Sequence, residues 1–122
     1  NVTHLNCNDN RLATLPSLPN VTKLHCNGNR LVALPDLPNV SHLSCSDNHL
    51  TSLPDSPNVT HIYCNNNRIT ALPDLSDTLT VLSCSSNRLT ALSGLPNVTH
   101  LYCYNNLFTV FPNLPSVTHF FS

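Results

Sequence analysis

With 122 residues the chain has room for one domain. Only 9% of its residues are charged and its formal net charge is −1, which leaves no basic field to attract nucleic acid or an anionic membrane. Its polarity comes instead from Asn, Ser, Thr and His, and no apolar run approaches the roughly 20 residues that span a bilayer.

Cysteine marks a regular beat: Cys7, Cys26, Cys45, Cys64, Cys84 and Cys103 lie 19, 19, 19, 20 and 19 residues apart. The surrounding residues repeat with them, as in the unit that opens Asn58-Val-Thr-His-Ile-Tyr-Cys and closes at Leu75. A fixed period of about twenty residues means stacked coils, because a unit that short cannot bury its own apolar face. The expected coils are 1–19, 20–38, 39–57, 58–77, 78–96 and 97–115, with a partial coil at 116–122. The opening residues fall inside a repeat and do not read as a signal peptide.

Counting each coil from its Val, position 1 reads Val2, Val21, Val40, Val59, Leu79, Val98 and Val117. Position 4 reads Leu5, Leu24, Leu43, Ile62, Leu82, Leu101 and Phe120, and position 6 is the cysteine column. Apolar residues at these places, with variable polar ones between, describe a short strand with one inward face. Equivalent strands recurring in one direction predict a single parallel sheet. Position 9 is Asn10, Asn29, Asn48, Asn67, Asn87 and Asn106. A carboxamide both donates and accepts, so a stacked column of them is expected to satisfy the backbone where the chain turns.

Apolar residues return at position 11 (Leu12, Leu31, Leu50, Ile69, Leu89, Phe108) and position 14 (Leu15, Leu34, Leu53, Leu72, Leu92, Phe111). Prolines three apart follow, as Pro16 and Pro19, Pro35 and Pro38, Pro54 and Pro57, Pro112 and Pro115. They forbid a helix interior and predict an extended, polyproline-like return. A back so thin predicts a shallow arc. The segment Ser76-Asp77-Thr78 stands where Pro-Asn is usual and adds one residue, expected as a bulge on the back, and Ser56 puts a hydroxyl where most coils carry Leu.

The pattern Leu-x-x-Leu-x-Cys-x-x-Asn-x-Leu-x-x-Leu-Pro-x-Leu-Pro resembles the leucine-rich repeat family, and its Leu-Pro-x-Leu-Pro tail is similar to the short bacterial-type subclass. Arrays of that subclass occur in secreted bacterial effectors, some fused to a ubiquitin-ligase domain, and similar ones in large DNA viruses. The resemblance implies a shallow right-handed horseshoe solenoid with one parallel sheet on the concave face, an extended convex side and no substantial helix. It also implies a protein partner bound on the concave sheet. Cys at position 6 departs from the usual aliphatic residue, and no capping segment is present.

Six cysteines in one column do not predict disulfides. Strand spacing holds neighbours about 4.8 Å apart with parallel side chains, whereas a disulfide needs Cβ atoms about 3.8 Å apart and converging. Buried free thiols are expected at all six positions, and reduced cysteines favour an intracellular setting. Position 3 carries His4, Lys23, His42, His61, Val81, His100 and His119, giving two neighbouring pairs, His42 with His61 and His100 with His119. Two imidazoles per pair fall short of the three or four ligands of a zinc site, so neither a metal nor another cofactor is expected. Protonation of adjacent imidazoles would instead place like charges on the face.

Position 5 contributes Tyr63, Tyr102 and Phe121 and position 7 contributes Tyr104, so all three tyrosines are expected on the concave surface. Exposed aromatics on a rigid sheet are the usual anchors of an interface, although strands favour aromatics on their own account. The Asn-Val-Thr and Asn-Val-Ser triplets at Asn1, Asn20, Asn39, Asn58 and Asn97 read as repeat consensus, because coils so close cannot each seat a glycan. With no glutamate, no CxxC pair, no phosphate-cradling loop and no Gly-x-Ser-x-Gly elbow, no enzyme is expected. The expected function is a protein-interaction module, with Tyr63, Tyr102, Tyr104, Phe121, His42, His61, His100 and His119 as contacts. The alternative is a structural component packing through its uncapped ends or polar face within a larger assembly.

Overall fold

The computed structural model describes residues 2–122. Seven strands follow in chain order: β1 (His4–Asn6), β2 (Lys23–His25), β3 (His42–Ser44), β4 (His61–Tyr63), β5 (Val81–Ser83), β6 (His100–Tyr102) and β7 (His119–Phe121). They form one sheet in that same order, each neighbour parallel and in register, so that Leu5 lies beside Leu24, Leu43 beside Ile62 and Leu101 beside Phe120. Among the described residues none is helical, and no helix is long and apolar enough to cross a membrane. The expected solenoid of stacked coils is the observed architecture.

Strands of three residues would be marginal alone. Here the ladder continues past them on both sides. Ahead of the strand, Thr22 N–H donates to the Thr3 carbonyl at 2.7 Å, and after it Cys7 N–H donates to the His25 carbonyl at 2.8 Å. The second bond recurs from Cys45 to Tyr63, Cys64 to Ser83 and Cys84 to Tyr102, each at 2.8 Å.

The chain then turns sharply at position 8, where Asp9, Gly28, Asp47, Asn66, Ser86 and Asn105 all take φ between +55° and +66°. Gly, Asn and Asp are the residues that enter this left-handed region most readily. The column was visible in the sequence but carried no weight there, because its residue identity varies while its backbone conformation does not.

Position 9 closes the turn. Asn48 Nδ2 donates to the carbonyls of Cys26 at 3.0 Å, Cys45 at 3.2 Å and Ser46 at 3.1 Å, while its Oδ1 accepts from Leu31 N–H at 3.1 Å. Asn29, Asn67, Asn87 and Asn106 repeat this set, each tying its own coil to the one before. Opposite, on the back, Asn39, Asn58 and Asn97 donate to the carbonyls of Pro19, Pro38 and Asp77 at 2.7, 3.1 and 2.8 Å. The side-chain nitrogens of these three Asn-Val-Thr/Ser triplets are therefore already engaged between coils.

The core lies between sheet and back. Val21, Val40, Val59, Leu79 and Val98 (position 1), the position 4 leucines from Leu24 to Leu101, five cysteines and Leu31, Leu50, Ile69 and Leu89 are all buried. Expectations of burial need correction at the terminal coils. Cys7 is half-buried, and Val2, Phe111 and Phe120 are exposed by 56%, 41% and 44%. In a stack each apolar face is covered by both neighbours, and the structure describes a neighbour on one side only for the coils at either end of residues 2–122. The extra residue falls on the back, where Leu79 N–H donates to the Ser76 carbonyl at 3.1 Å and Thr78 Oγ1 reaches the Val59 carbonyl at 2.7 Å.

Candidate functional site

Side chains at positions 3 and 5 stand on the outward face of the sheet, and in-register pairing places equivalent ones directly beside each other. His42 and His61 stack with ring centroids 4.4 Å apart and planes 12° from parallel. His100 and His119 do the same at 4.2 Å and 5°, and Tyr102 lies on Phe121 at 4.9 Å and 3°. One strand spacing, about 4.8 Å, is also a stacking distance for rings. The parallel sheet therefore turns neighbouring aromatics into stacks.

The residue before each of these histidines fixes its ring. Thr60 Oγ1 lies 3.1 Å from the Ser41 carbonyl and 2.8 Å from His61 Nδ1, so it bridges the two. Ser41 treats His42 in the same way, as Thr99 treats His100 and Thr118 treats His119, with Oγ to Nδ1 distances of 3.0, 2.9 and 3.0 Å. Nδ1 of each ring is thereby engaged, which leaves Nε2 as its unpaired nitrogen. Sequence reading placed both the hydroxyl and the imidazole columns without connecting them.

His42 also has its pKa lowered, first by burial and then by the neighbouring His61, Lys23 and His25. Stacked imidazoles have parallel rather than converging lone pairs. Among the described residues no three His, Cys or Asp side chains gather as a metal would require.

The eight side chains expected as contacts do not form one cluster. Tyr63, His100 and Tyr102 come together around a groove of about 410 Å³ whose other lining residues are Val81 and Ser83. Phe121 backs this group through its stack on Tyr102, and His61 approaches from the side, 6.5 Å from the Tyr63 ring. His42 continues the row beyond His61, and His119 beyond His100. Tyr104 lies apart: it lines a smaller hollow of about 170 Å³ with Phe108, Phe111 and Ser122.

Position 7 holds a polar row that sequence reading overlooked. Asn8 accepts from Asn27 N–H at 2.7 Å, Asn27 from Ser46 N–H at 2.7 Å, Ser46 from Asn65 N–H at 3.0 Å and Asn65 from Ser85 N–H at 2.8 Å. Ser44 and Ser83 hydroxyls join it by donating to Asn27 and Asn65 Oδ1. The row ends at Ser85, whose Oγ is buried without a partner, and Tyr104 follows on the next coil. The run of Asn and Ser at that position was the available signal.

Burial suppresses the thiolate form along the cysteine column. Burial pushes the Cys26 thiol up to about 12 and Cys103 up to about 11, and raises Cys45, Cys64 and Cys84 further. Half-buried Cys7 is also raised, by the same cause. All six are free.

Comparison with known proteins agrees with this architecture. A family model of two leucine-rich repeats matches residues 1–39 and again 38–77. No curated protein matches the chain. Among solved structures, YopM from Yersinia enterocolitica WA-314 superposes with a TM-score of 0.87 at 32% identity, over 90% of this chain and 25% of its own. YopM from Yersinia pestis, described as a leucine-rich effector protein, gives 0.88 at 34% identity over 95% of this chain and 35% of its own. The chain thus spans between 25% and 35% of the length of those two proteins. With the repeat model matched across more than half of its residues and its coils built as those of YopM are, the chain belongs to the leucine-rich repeat family.

Proposed function

We propose that the chain is a non-enzymatic protein-interaction module that receives a partner on the concave face of its sheet. The observation that carries this reading is the two groups of half-open rings held in fixed geometry, one on β3 and β4 and one on β6 and β7. Tyr63 and Phe121 are exposed by 37% and 50%, and Tyr102 stands between Phe121 and the groove. Rigid aromatics bury area at low entropic cost and are the residues most enriched at interface centres. Seven strands about 4.8 Å apart give a face about 30 Å long, enough for about 800 Å² on each partner. His42, His61, His100 and His119 contribute unpaired Nε2 atoms beside the rings, and Tyr104 contributes at the margin. Lys23 carries the one formal charge among the position 3 and 5 side chains, so the surface suits a polar, nearly neutral partner.

A photoreactive residue at position 44, on the sheet, tests this against one at position 36, on the back. A discrete protein adduct from position 44 alone, lost in Tyr102→Ala with Phe121→Ala, is the expected result. Adducts from position 36, or adducts indifferent to those substitutions, would place the interface elsewhere.

Assembly through a terminal coil is the second reading, favoured by the exposure of Phe111 and Phe120, whose rings meet edge-to-face at 5.3 Å. Sedimentation of the chain against a Phe111→Ser, Phe120→Ser variant tests it. Concentration-dependent association that both share speaks against that route.

A further inference from the structure

Down position 5 the last four strands read Tyr63, Ser83, Tyr102 and Phe121, and down position 3 they read His61, Val81, His100 and His119. β5 is the one strand of the four that carries no ring at either place. We propose that this gap over β5 is a slot for an aromatic side chain of the protein partner, tyrosine or tryptophan, which inserts between Tyr63 and Tyr102. The proposal deepens the interaction reading above and rests on it.

Distance is the first argument. Tyr63 and Tyr102 are separated by two strand spacings, so a ring over Ser83 would sit about one spacing, about 4.8 Å, from each. That lies inside the 4.5–7 Å range in which aromatic rings attract one another. The same sheet already shows the arrangement one step along, where Tyr102 and Phe121 stack at 4.9 Å. An inserted ring would make Tyr63, the guest, Tyr102 and Phe121 a continuous column.

The lining chemistry narrows the guest further. The floor is Val81 and Ser83, and the Ser83 hydroxyl is turned away, donating to Asn65 Oδ1 at 2.9 Å. At the rim His100 Nε2 is left unpaired, because its Nδ1 is engaged with the Thr99 hydroxyl at 2.9 Å. A guest with one ring-borne O–H or N–H can pair with that nitrogen. No carboxylate lines the slot, so an arginine entering it would leave its charge uncompensated.

Titration of the isotope-labelled chain with p-cresol, followed at the Val81 methyls and the Ser83 amide, tests the slot without any partner. Saturable upfield ring-current shifts are expected, with 4-methylcyclohexanol binding at least about threefold more weakly and methylguanidinium leaving the Val81 methyls unmoved. Ser83→Tyr places in β5 the residue that β4 and β6 already carry, and should abolish the shifts. Val81→His restores the residue most coils hold at that place and should narrow the slot from the other end, giving a second variant should the first not fold.

Equal binding of 4-methylcyclohexanol, entry of methylguanidinium, absence of p-cresol shifts, or persistence of the shifts in a folded filled variant would each overturn the proposal. Such a failure leaves the crosslinking test of the interface untouched. A slot that takes p-cresol in a chain forming no adduct would sink the interface reading alone.

Discussion

Asn67 Nδ2 lies 3.0 Å from the carbonyl oxygen of Cys45, twenty-two residues earlier in the chain and one coil away in space. The return bond comes from the same earlier coil, where Leu50 N–H donates to Asn67 Oδ1 at 3.0 Å. Two further carbonyls of its own coil, Cys64 and Asn65, share the amide protons at 3.2 Å each. One side chain thus closes a turn and fastens two coils.

Replacing it should be costly. Asn67→Ala strands the buried Leu50 N–H and takes the amide donor from the carbonyls of Cys45 and Cys64, and we expect a loss of about 2–4 kcal/mol by chemical denaturation. Asn10→Ala removes an exposed carboxamide bonded only to Cys7 and Asn8 of its own coil, and should cost less than about 1 kcal/mol. Equal losses at the two sites would show that the inter-coil bonds are not what matters.

Ser85→Ala should act in the opposite direction. Its Oγ is buried with no partner, so removing it relieves a desolvated hydroxyl while keeping the backbone bond to Asn65. An unchanged or slightly raised stability, by about 0–1 kcal/mol, is expected in the same measurement. A clear loss would mean that the hydroxyl has a partner, such as a bound water.

The thiols should divide by coil. Cys7 is half-buried, whereas Cys26, Cys45, Cys64, Cys84 and Cys103 are buried and free. Thiolate is the reactive form, and burial suppresses both its formation and its access. Counting thiols with an aromatic disulfide reagent should find Cys7 reacting first under native conditions and the remaining five only with unfolding. Fast native labelling of Cys45 or Cys64 would contradict the packing.

Acid should weaken the fold through His42. Its folded pKa is lowered, so the unfolded chain takes up the proton first as pH falls. The contribution to stability is present above the ordinary histidine value of about 6.5 and is lost as pH falls through the lower folded value. A melting temperature that declines from pH 7 towards pH 5, with a shallower decline in His42→Gln, is the expected pattern. A slope unaltered by that substitution would assign the effect to other groups.

Much of this molecule is legible before any coordinates. Recurrence of Val, Leu and Cys at fixed offsets within a period of 19 or 20 residues dictates parallel strands, an inward face and an extended return, because no other arrangement buries so short a unit. An unbroken Asn column likewise announces a structural carboxamide. The left-handed turn at Asp9, Gly28, Asp47, Asn66, Ser86 and Asn105 is written more faintly, since several residue types serve one backbone conformation.

What only the tertiary structure decided is how unlike neighbours meet once the coils are stacked. The sequence places Tyr63, Tyr102 and Tyr104 together on one face, yet the groove takes the first two and a separate hollow takes the third. It lists a hydroxyl before each of five histidines, yet that each hydroxyl meets Nδ1 of the ring beside it shows only in three dimensions. A repeat encodes what all coils share, since each position meets its own kind above and below. Departures from the repeat, such as Val81 and Ser83 between ringed strands, acquire meaning only from the coils on either side.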